Sequence, residues 1–146
     1  MKDIIPKLIR LFKQGYCTPQ IARIAKKIKE PSTTIHYNIK KLEKEGAIKT
    51  YKAVFDHKKI DEGFCVYVLV NISPDAYDTP VAEELAKLEE VESADTIAGQ
   101  WDVILKIRTK DQDEYYDILK KYISKGVTKT LTLTALKQIK TNYVLL

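Results

Sequence analysis

The stretch FCVYVLVNIS, Phe64 to Ser73, restricts the fold more than any other part of this chain. It alternates with the period of a strand, yet both sets of side chains are apolar: Phe64, Val66, Val68, Val70 and Ile72 on one face, Cys65, Tyr67 and Leu69 on the other. A strand with one wet face reads apolar then polar, so this one needs cover on both sides. Helices are expected on one face and a second sheet on the other.

The residues that follow supply the helices. Ser73 to Pro80 reads as loop, and Val81, Leu85 and Leu88 then mark a helix. EVESADTIA reads as a strand, and GQWD as a turn into a further strand, VILKIRT. Asp111 is placed to cap another helix with Tyr115, Ile118, Leu119 and Tyr122 inward; Gly126 ends it, and VTKTLTLTALKQIK reads as one long last strand. Strand, helix, strand, strand, helix, strand is the ferredoxin-like order.

Before residue 60 the period is helical. A first helix is expected over about Asp3 to Lys13, with Pro6 in its first turn and Leu8, Leu11 and Phe12 inward. Thr18-Pro19 has the form of a cap followed by a first-turn proline, opening a second helix with Ile21, Ile24, Ala25 and Ile28 as its buried stripe. A short connection to Pro31 leads to a third helix, closed by Gly46. AIKTYKAVFD, punctuated by Ile48 and Tyr51, reads as a small strand pair. Three helices and a strand pair make the winged helix-turn-helix order. The sequence is therefore an α+β chain with a winged helix-turn-helix domain over residues 1–55, a hinge over 56–63 that contains HKKIDEG, and a ferredoxin-like domain over 64–146.

Charge divides the same way. Residues 1–60 hold 15 Lys and Arg against 5 Asp and Glu, a net of +10, whereas the remainder holds 10 against 15, a net of −5. A basic front half suits a polyanion partner, and an acidic back half suits another task. No apolar run approaches the roughly 18 to 20 residues of a membrane span, and the opening MKDIIPKLIRLF is too polar for a secretory signal, so a cytoplasmic protein without a membrane partner is expected. Cys17 and Cys65 are far apart and the histidines are unclustered, which suggests neither a disulfide framework nor a metal site; no cofactor is expected.

The third helix carries the most specific chemistry. Ile35, Ile39 and Leu42 form one narrow apolar stripe, and the first two turns otherwise hold Ser32, Thr33, Thr34, His36, Tyr37 and Asn38. A helix lying in a DNA major groove needs short polar groups to reach base edges and, after them, cations to hold phosphates. Thr33, His36, Tyr37 and Lys40 share one side, and Lys40, Lys41 and, on the wing, Lys49 and Lys52 are placed for phosphates. The bland alternative is an amphipathic helix whose polar side meets only water. The preceding short helix and the local charge favour DNA.

Ala98-Gly99-Gln100-Trp101-Asp102 joins two apolar strands. Read alone it is an ordinary turn, but glycine lets a backbone approach a small zwitterion, and a carboxylate can pair with its ammonium group. Thr128, Thr130, Thr132 and Thr134 alternate along the last strand as a solvent-side face, with hydroxyls that could also line a pocket. Catalytic signatures are missing: no phosphate-cradling glycine loop, no G-x-S-x-G, no H-E-x-x-H, and the pairs Glu83-Glu84 and Glu89-Glu90 fall on a surface helix. No enzyme is expected.

Taken together, IARIAKKI, PSTTIHYNIKKLEKEGAIKTY, VAEELAKLEEVES, the G-x-x-D of Gly99 and Asp102, and GVTKTLTLTALK resemble the Lrp/AsnC (feast/famine) family of transcription regulators over nearly the whole chain. The Lys- and Ile-rich, Arg-poor composition is similar to thermophilic archaeal members. The resemblance implies double-stranded DNA as partner, a homodimer formed by face-to-face packing of C-terminal sheets and often assembled into octamers, and a small-molecule effector, commonly an amino acid, at subunit interfaces. The DNA-binding residues, read from the third helix and the wing, are Ser32, Thr33, Thr34, His36, Tyr37, Lys40, Lys41 and Lys49; carried over from the family, the effector-binding residues are Gly99, Gln100, Trp101, Asp102, Thr130 and Thr132. The chain departs from the family pattern in keeping only Asp3 of the acidic opening motif, in having His36 and Asn38 where Ser and Arg are frequent, and in the bulk of Trp101. Two other readings carry distinct expectations: a sirohaem-decarboxylase-like enzyme on the same scaffold, and an architectural protein that binds DNA without sequence preference.

Overall fold

The computed structural model describes residues 4–76, 80–123 and 126–140. The chain separates into two compact units, Met1–Phe55 and Asp56–Leu146.

The first unit holds three helices, α1 (Ile5–Lys13), α2 (Ile21–Ile28) and α3 (Ser32–Lys44). Pro6 sits in the first turn of α1, where a missing N–H costs nothing. Gly15 then turns the chain at φ 97; a Cβ there would collide with the Thr50 hydroxyl and lie 3.2 Å from the Tyr51 carbonyl, so the position is closed to any side chain. Lys29 ends α2 in the left-handed conformation at φ 59, and α3 starts directly after Pro31, whose ψ of 143 is extended. Gly46, as expected, follows the end of α3, with its N–H on the Glu43 carbonyl.

Several expectations for this unit fail. Helix α2 opens at Ile21, not behind a Thr18 cap: the Ile21 N–H is taken by the Pro19 carbonyl at 3.1 Å, and Gln20 in the cap position makes no capping bond, its Oε1 accepting instead from the Arg23 guanidinium at 3.5 Å. The expected strand pair after α3 does not form, and residues 47–56 have no regular structure. That segment lacks the Gly, Asn or Pro of a tight hairpin turn, and an isolated two-stranded ladder is marginal in water. It runs instead past the end of α1, with the Ala53 N–H on the Phe12 carbonyl at 3.3 Å. Leu8, Leu11 and Phe12 are 38–40% exposed and Ile28 is 56% exposed, so these apolar stripes are not enclosed as expected. Among the described residues of this unit only Ala25 and Ile35 are buried, because three short helices offer too little surface to cover one another fully.

The second unit opens with a short 3-10 turn, His57–Ile60, over the stretch expected as hinge; the Asp56 carboxylate accepts from the Lys58 N–H, and His57 Nδ1 lies 3.2 Å from Glu62. Strand β1 (Phe64–Ile72) follows, then α4 (Val81–Ala86), β2 (Val91–Thr96), β3 (Val103–Thr109), α5 (Gln112–Ile123) and β4 (Val127–Thr134). The sheet order is β2-β3-β1-β4 with every neighbouring pair antiparallel, the ferredoxin-like arrangement expected. Asp111 caps α5 as expected, accepting from the Glu114 N–H at 3.0 Å, while Glu114 reaches back to the Lys110 N–H. The side chain of Tyr122 lies outside the described residues.

Register assigns the faces. Val66, Val68 and Val70 of β1 lie beside Ile107, Leu105 and Val103, and with Leu85, Tyr115 and Ile118 they form the core under α4 and α5. Each such apolar side chain removed from water is worth roughly 1.5–3 kcal/mol, which is why this strand sets the fold of the unit. Its other side, Tyr67 and Leu69, lies beside Lys106 and Ile104 and beside Leu133 and Leu131. No second sheet covers that side among the described residues of the unit.

Two expectations for β4 are corrected by the same register. Thr130 and Thr132 pair with Val70 and Val68, so they face the helix layer rather than solvent, and the Thr132 hydroxyl is bonded to that of Tyr115. Leu131 and Leu133 take the open side at 43% and 50% exposure. The last strand also stops at Thr134, because β1 starts at Phe64 and offers one final rung, from the Ala135 N–H to the Cys65 carbonyl. On β2 the register skips Glu92, since Val91 pairs with Ile107 and Ser93 with Lys106. This bulge turns Glu92 onto the open side, where it bonds Lys106 at 3.0 Å and Arg108.

Candidate nucleic-acid interface and effector turn

Helix α3 hangs on one buried side chain, Ile35, with Ile39 half-buried and Leu42 at 42% exposure. Everything expected to meet DNA stands on its exposed surface: Ser32, Thr33, Thr34, His36, Tyr37, Lys40 and Lys41, with Tyr37 at 70%. Lys49 is exposed on the irregular segment after the helix. Asn38 behaves differently from its neighbours, because its amide donates to the Thr34 carbonyl at 2.8 Å and is turned back on its own helix.

The cations are not equivalent. Lys40 Nζ lies 2.8 Å from Glu43 Oε2, and the other oxygen of that carboxylate accepts from the Tyr51 hydroxyl at 3.1 Å. Lys41 reaches Glu45 only at 3.9 Å, with both side chains more than half exposed. The hydrogen bond from Lys40 holds the Glu43 carboxyl below the usual carboxylate range, and the same bond raises the Lys40 ammonium. Burial, then the bond to Glu43, raises the Tyr51 phenol. Sequence reasoning missed Glu43 and Tyr51; the signal for the first was its spacing of three from Lys40 on a helix.

The second candidate, the turn between β2 and β3, is clipped to the sheet through Asp102. Its N–H donates to the Val70 carbonyl at 3.0 Å, its carbonyl accepts from the Ile97 N–H at 2.9 Å, and its carboxylate accepts from the Ile72 N–H at 2.8 Å. Gly99 and Gln100 are exposed at the tip. The half-buried Trp101 lies under the Lys129 ammonium, 5.4 Å from its ring centroid. Lys129 is in register with Asn71, on the open side of the sheet, and sequence reasoning missed it. Gly99 to Asp102 thus form one turn, whereas Thr130 and Thr132 belong to the helix side of β4, where Thr130 lines an apolar crevice of the core with Val68 and Tyr115. No cluster of three or more metal-ligating side chains is found, and no helix is long and apolar enough to cross a membrane, among the described residues.

Residues 65–145, more than half of the chain, match the family described as the Lrp/AsnC ligand binding domain. The chain belongs to the Lrp/AsnC family. Among its relatives is an uncharacterised HTH-type transcriptional regulator of Pyrococcus furiosus, 36% identical over 124 residues that make up 82% of this chain and 83% of the relative. Solved structures share the fold, two of them as follows. An AsnC family transcriptional regulator from Agrobacterium tumefaciens superposes with a TM-score of 0.77 at 24% identity, over 99% of this chain and 96% of that one. A transcriptional regulator from Neisseria meningitidis, solved as an L-methionine complex, gives 0.74 at 20% identity, over 97% and 93%. The Lrp/AsnC assignment places the matched region on the sheet, the two helices above it and the Gly99–Asp102 turn.

Proposed function

We propose that this chain is a sequence-specific, DNA-binding transcriptional regulator that works as a homo-oligomer and is modulated by a small molecule of the amino-acid class. The observation that carries this reading is the surface of α3: seven polar side chains stand exposed on a helix held by one buried residue, in a segment of net charge +10, in a family whose relatives are named transcriptional regulators. Helices α2 and α3, joined through Lys29 to Pro31, act as the helix-turn-helix pair, and the irregular segment carrying Lys49 takes the place of the wing.

In this reading Thr33, His36 and Tyr37 read base edges, Ser32 and Thr34 lie at the helix start nearest the backbone, and Lys41 and Lys49 neutralise phosphates. Two copies pack through the open sides of their sheets, where Tyr67, Leu131 and Leu133 would otherwise stay wet beside the half-buried Leu69, so two recognition helices meet a near-palindromic site about one helical turn apart. The effector docks at the Gly99–Asp102 turn, where Gln100, Trp101 and Lys129 offer an amide, a flat ring and a cation. The L-methionine complex of the Neisseria neighbour supports the amino-acid class. Asp102 already accepts the Ile72 N–H, so its part is to hold the turn in place.

The test is selection of bound duplexes from a random pool at near-physiological salt, where non-specific affinity fades and specific sites persist. An enriched inverted repeat is expected. A retained pool without a preferred sequence would show an architectural binder instead.

A further inference from the structure

Lys40 stands among the residues most obviously suited to a phosphate, yet its charge is already answered. The ammonium sits 2.8 Å from Glu43, one turn further along the same side of α3, and Glu43 is only 28% exposed. Both oxygens of that carboxylate are engaged, one by Lys40 and one by the Tyr51 hydroxyl. Tyr51 belongs to the segment that carries Lys49 and Lys52 and that lacks a strand ladder of its own. What fixes that segment is the Ala53 bond to Phe12, the bond from the Ile48 N–H to the Leu42 carbonyl, the closeness of Thr50 to Gly15, and Glu43.

We infer that Glu43 is a positioning residue of the DNA-facing surface, which masks the charge of Lys40 and anchors the Lys49 segment to α3 through Tyr51. This rests on the reading of α3 as the DNA-facing helix. The consequence is a division of labour: phosphate neutralisation passes to Lys41 and Lys49, and the side of α3 that holds Thr33, His36 and Tyr37 stays close to neutral. A neutral reading face lowers affinity for arbitrary duplex, which depends on net charge, and leaves affinity for the correct bases, which depends on hydrogen bonds. Selectivity rises because the background falls.

The experiment uses the full chain and a random-sequence duplex, with affinity measured between about 50 and 200 mM salt, where each phosphate contact changes the logarithmic slope by about one. Glu43→Gln keeps an acceptor for Tyr51 and removes the charge, so the fold is retained. It is expected to steepen the slope by about one and to tighten non-specific binding by roughly three- to fourfold at the high-salt end. Adding Lys40→Gln to it is expected to restore the slope of the unaltered chain. An unchanged slope in Glu43→Gln, with a slope lower by about one in the double variant, would show Lys40 on a phosphate and overturn the inference.

If the unaltered chain holds no duplex, the regulator reading fails, and the masking is decided separately by NMR titration of the Glu43 carboxyl. The titratable groups beside it are Lys40, Tyr51 and His36. Replacement of Lys40 by Gln is expected to raise that titration toward the ordinary range; no change would mean that the pair does not form.

Discussion

The two units of this molecule solve opposite problems. In the second, Val66, Val68, Val70, Val103 and Leu105 are at most 3% exposed under two helices, and the surface is left to follow from that packing. In the first, Ala25 and Ile35 alone are buried among the described residues, while nearly every side chain of α3 is committed to the outside. A scaffold can be read from its core. A recognition surface is read from what its core leaves out, and the cost is a unit with few buried contacts and correspondingly low local stability.

Removing core from each unit should separate the two most strongly. Leu85→Ala empties the most enclosed leucine among the described residues of the second unit and should cost about 3 kcal/mol, read as a fall in the urea midpoint of that unit. Ile35→Ala should cost less, because its surroundings are half-open and can collapse. Equal losses would contradict the contrast.

Electrostatics sharpen it next. Burial pulls the Glu92 carboxyl upward, but hydrogen bonds from Lys106 and Arg108 outweigh burial and hold it below the usual range. A carboxyl depressed in the folded state stabilises above its unfolded value of about 4.3 and loses that contribution as pH falls through the folded one. Glu92→Gln should therefore cost about 1 kcal/mol at pH 7, a figure kept low because the side chain is 35% exposed. Denaturation repeated toward pH 3 should bring the two chains together; a constant gap would point to packing instead.

A smaller change should act in the opposite direction. Lys29 holds a left-handed conformation at φ 59, so Lys29→Gly should stabilise the first unit by about 0.5–1 kcal/mol, seen as slower hydrogen exchange in α2 and α3. Faster exchange would mean that the lysine makes a compensating contact. An effect of similar size is expected of Lys41→Gln: affinity for every duplex should fall by roughly three- to fourfold at about 200 mM salt, without altered preference.

How much of this was legible in the sequence follows the same contrast. Strand β1 could be placed from its alternation, β3 from VILKIRT and the α5 cap from Asp111, because buried periodicity and capping chemistry are local signals. The face of Thr130 and Thr132 was misread, since hydroxyls look solvent-facing until the register with Val68 and Val70 sets them under the helices. The wing was misread for the reverse reason: Ile48 and Tyr51 carry β propensity, but Tyr51 is held by Glu43 and no turn closes a ladder. Residues of α3 were found individually. Their pairing, Lys40 with Glu43 and Asn38 with Thr34, depends on rotamers that composition does not express.

The central claim is that the exposed side of α3 reads base pairs, and duplex selection repeated with Thr33→Ala tests it most directly. The same inverted repeat is expected, with preference relaxed at one symmetric pair of positions, because a base-edge contact is local. An unaltered motif recovered at uniformly lower affinity would contradict it, and would place Thr33 on the backbone or away from DNA.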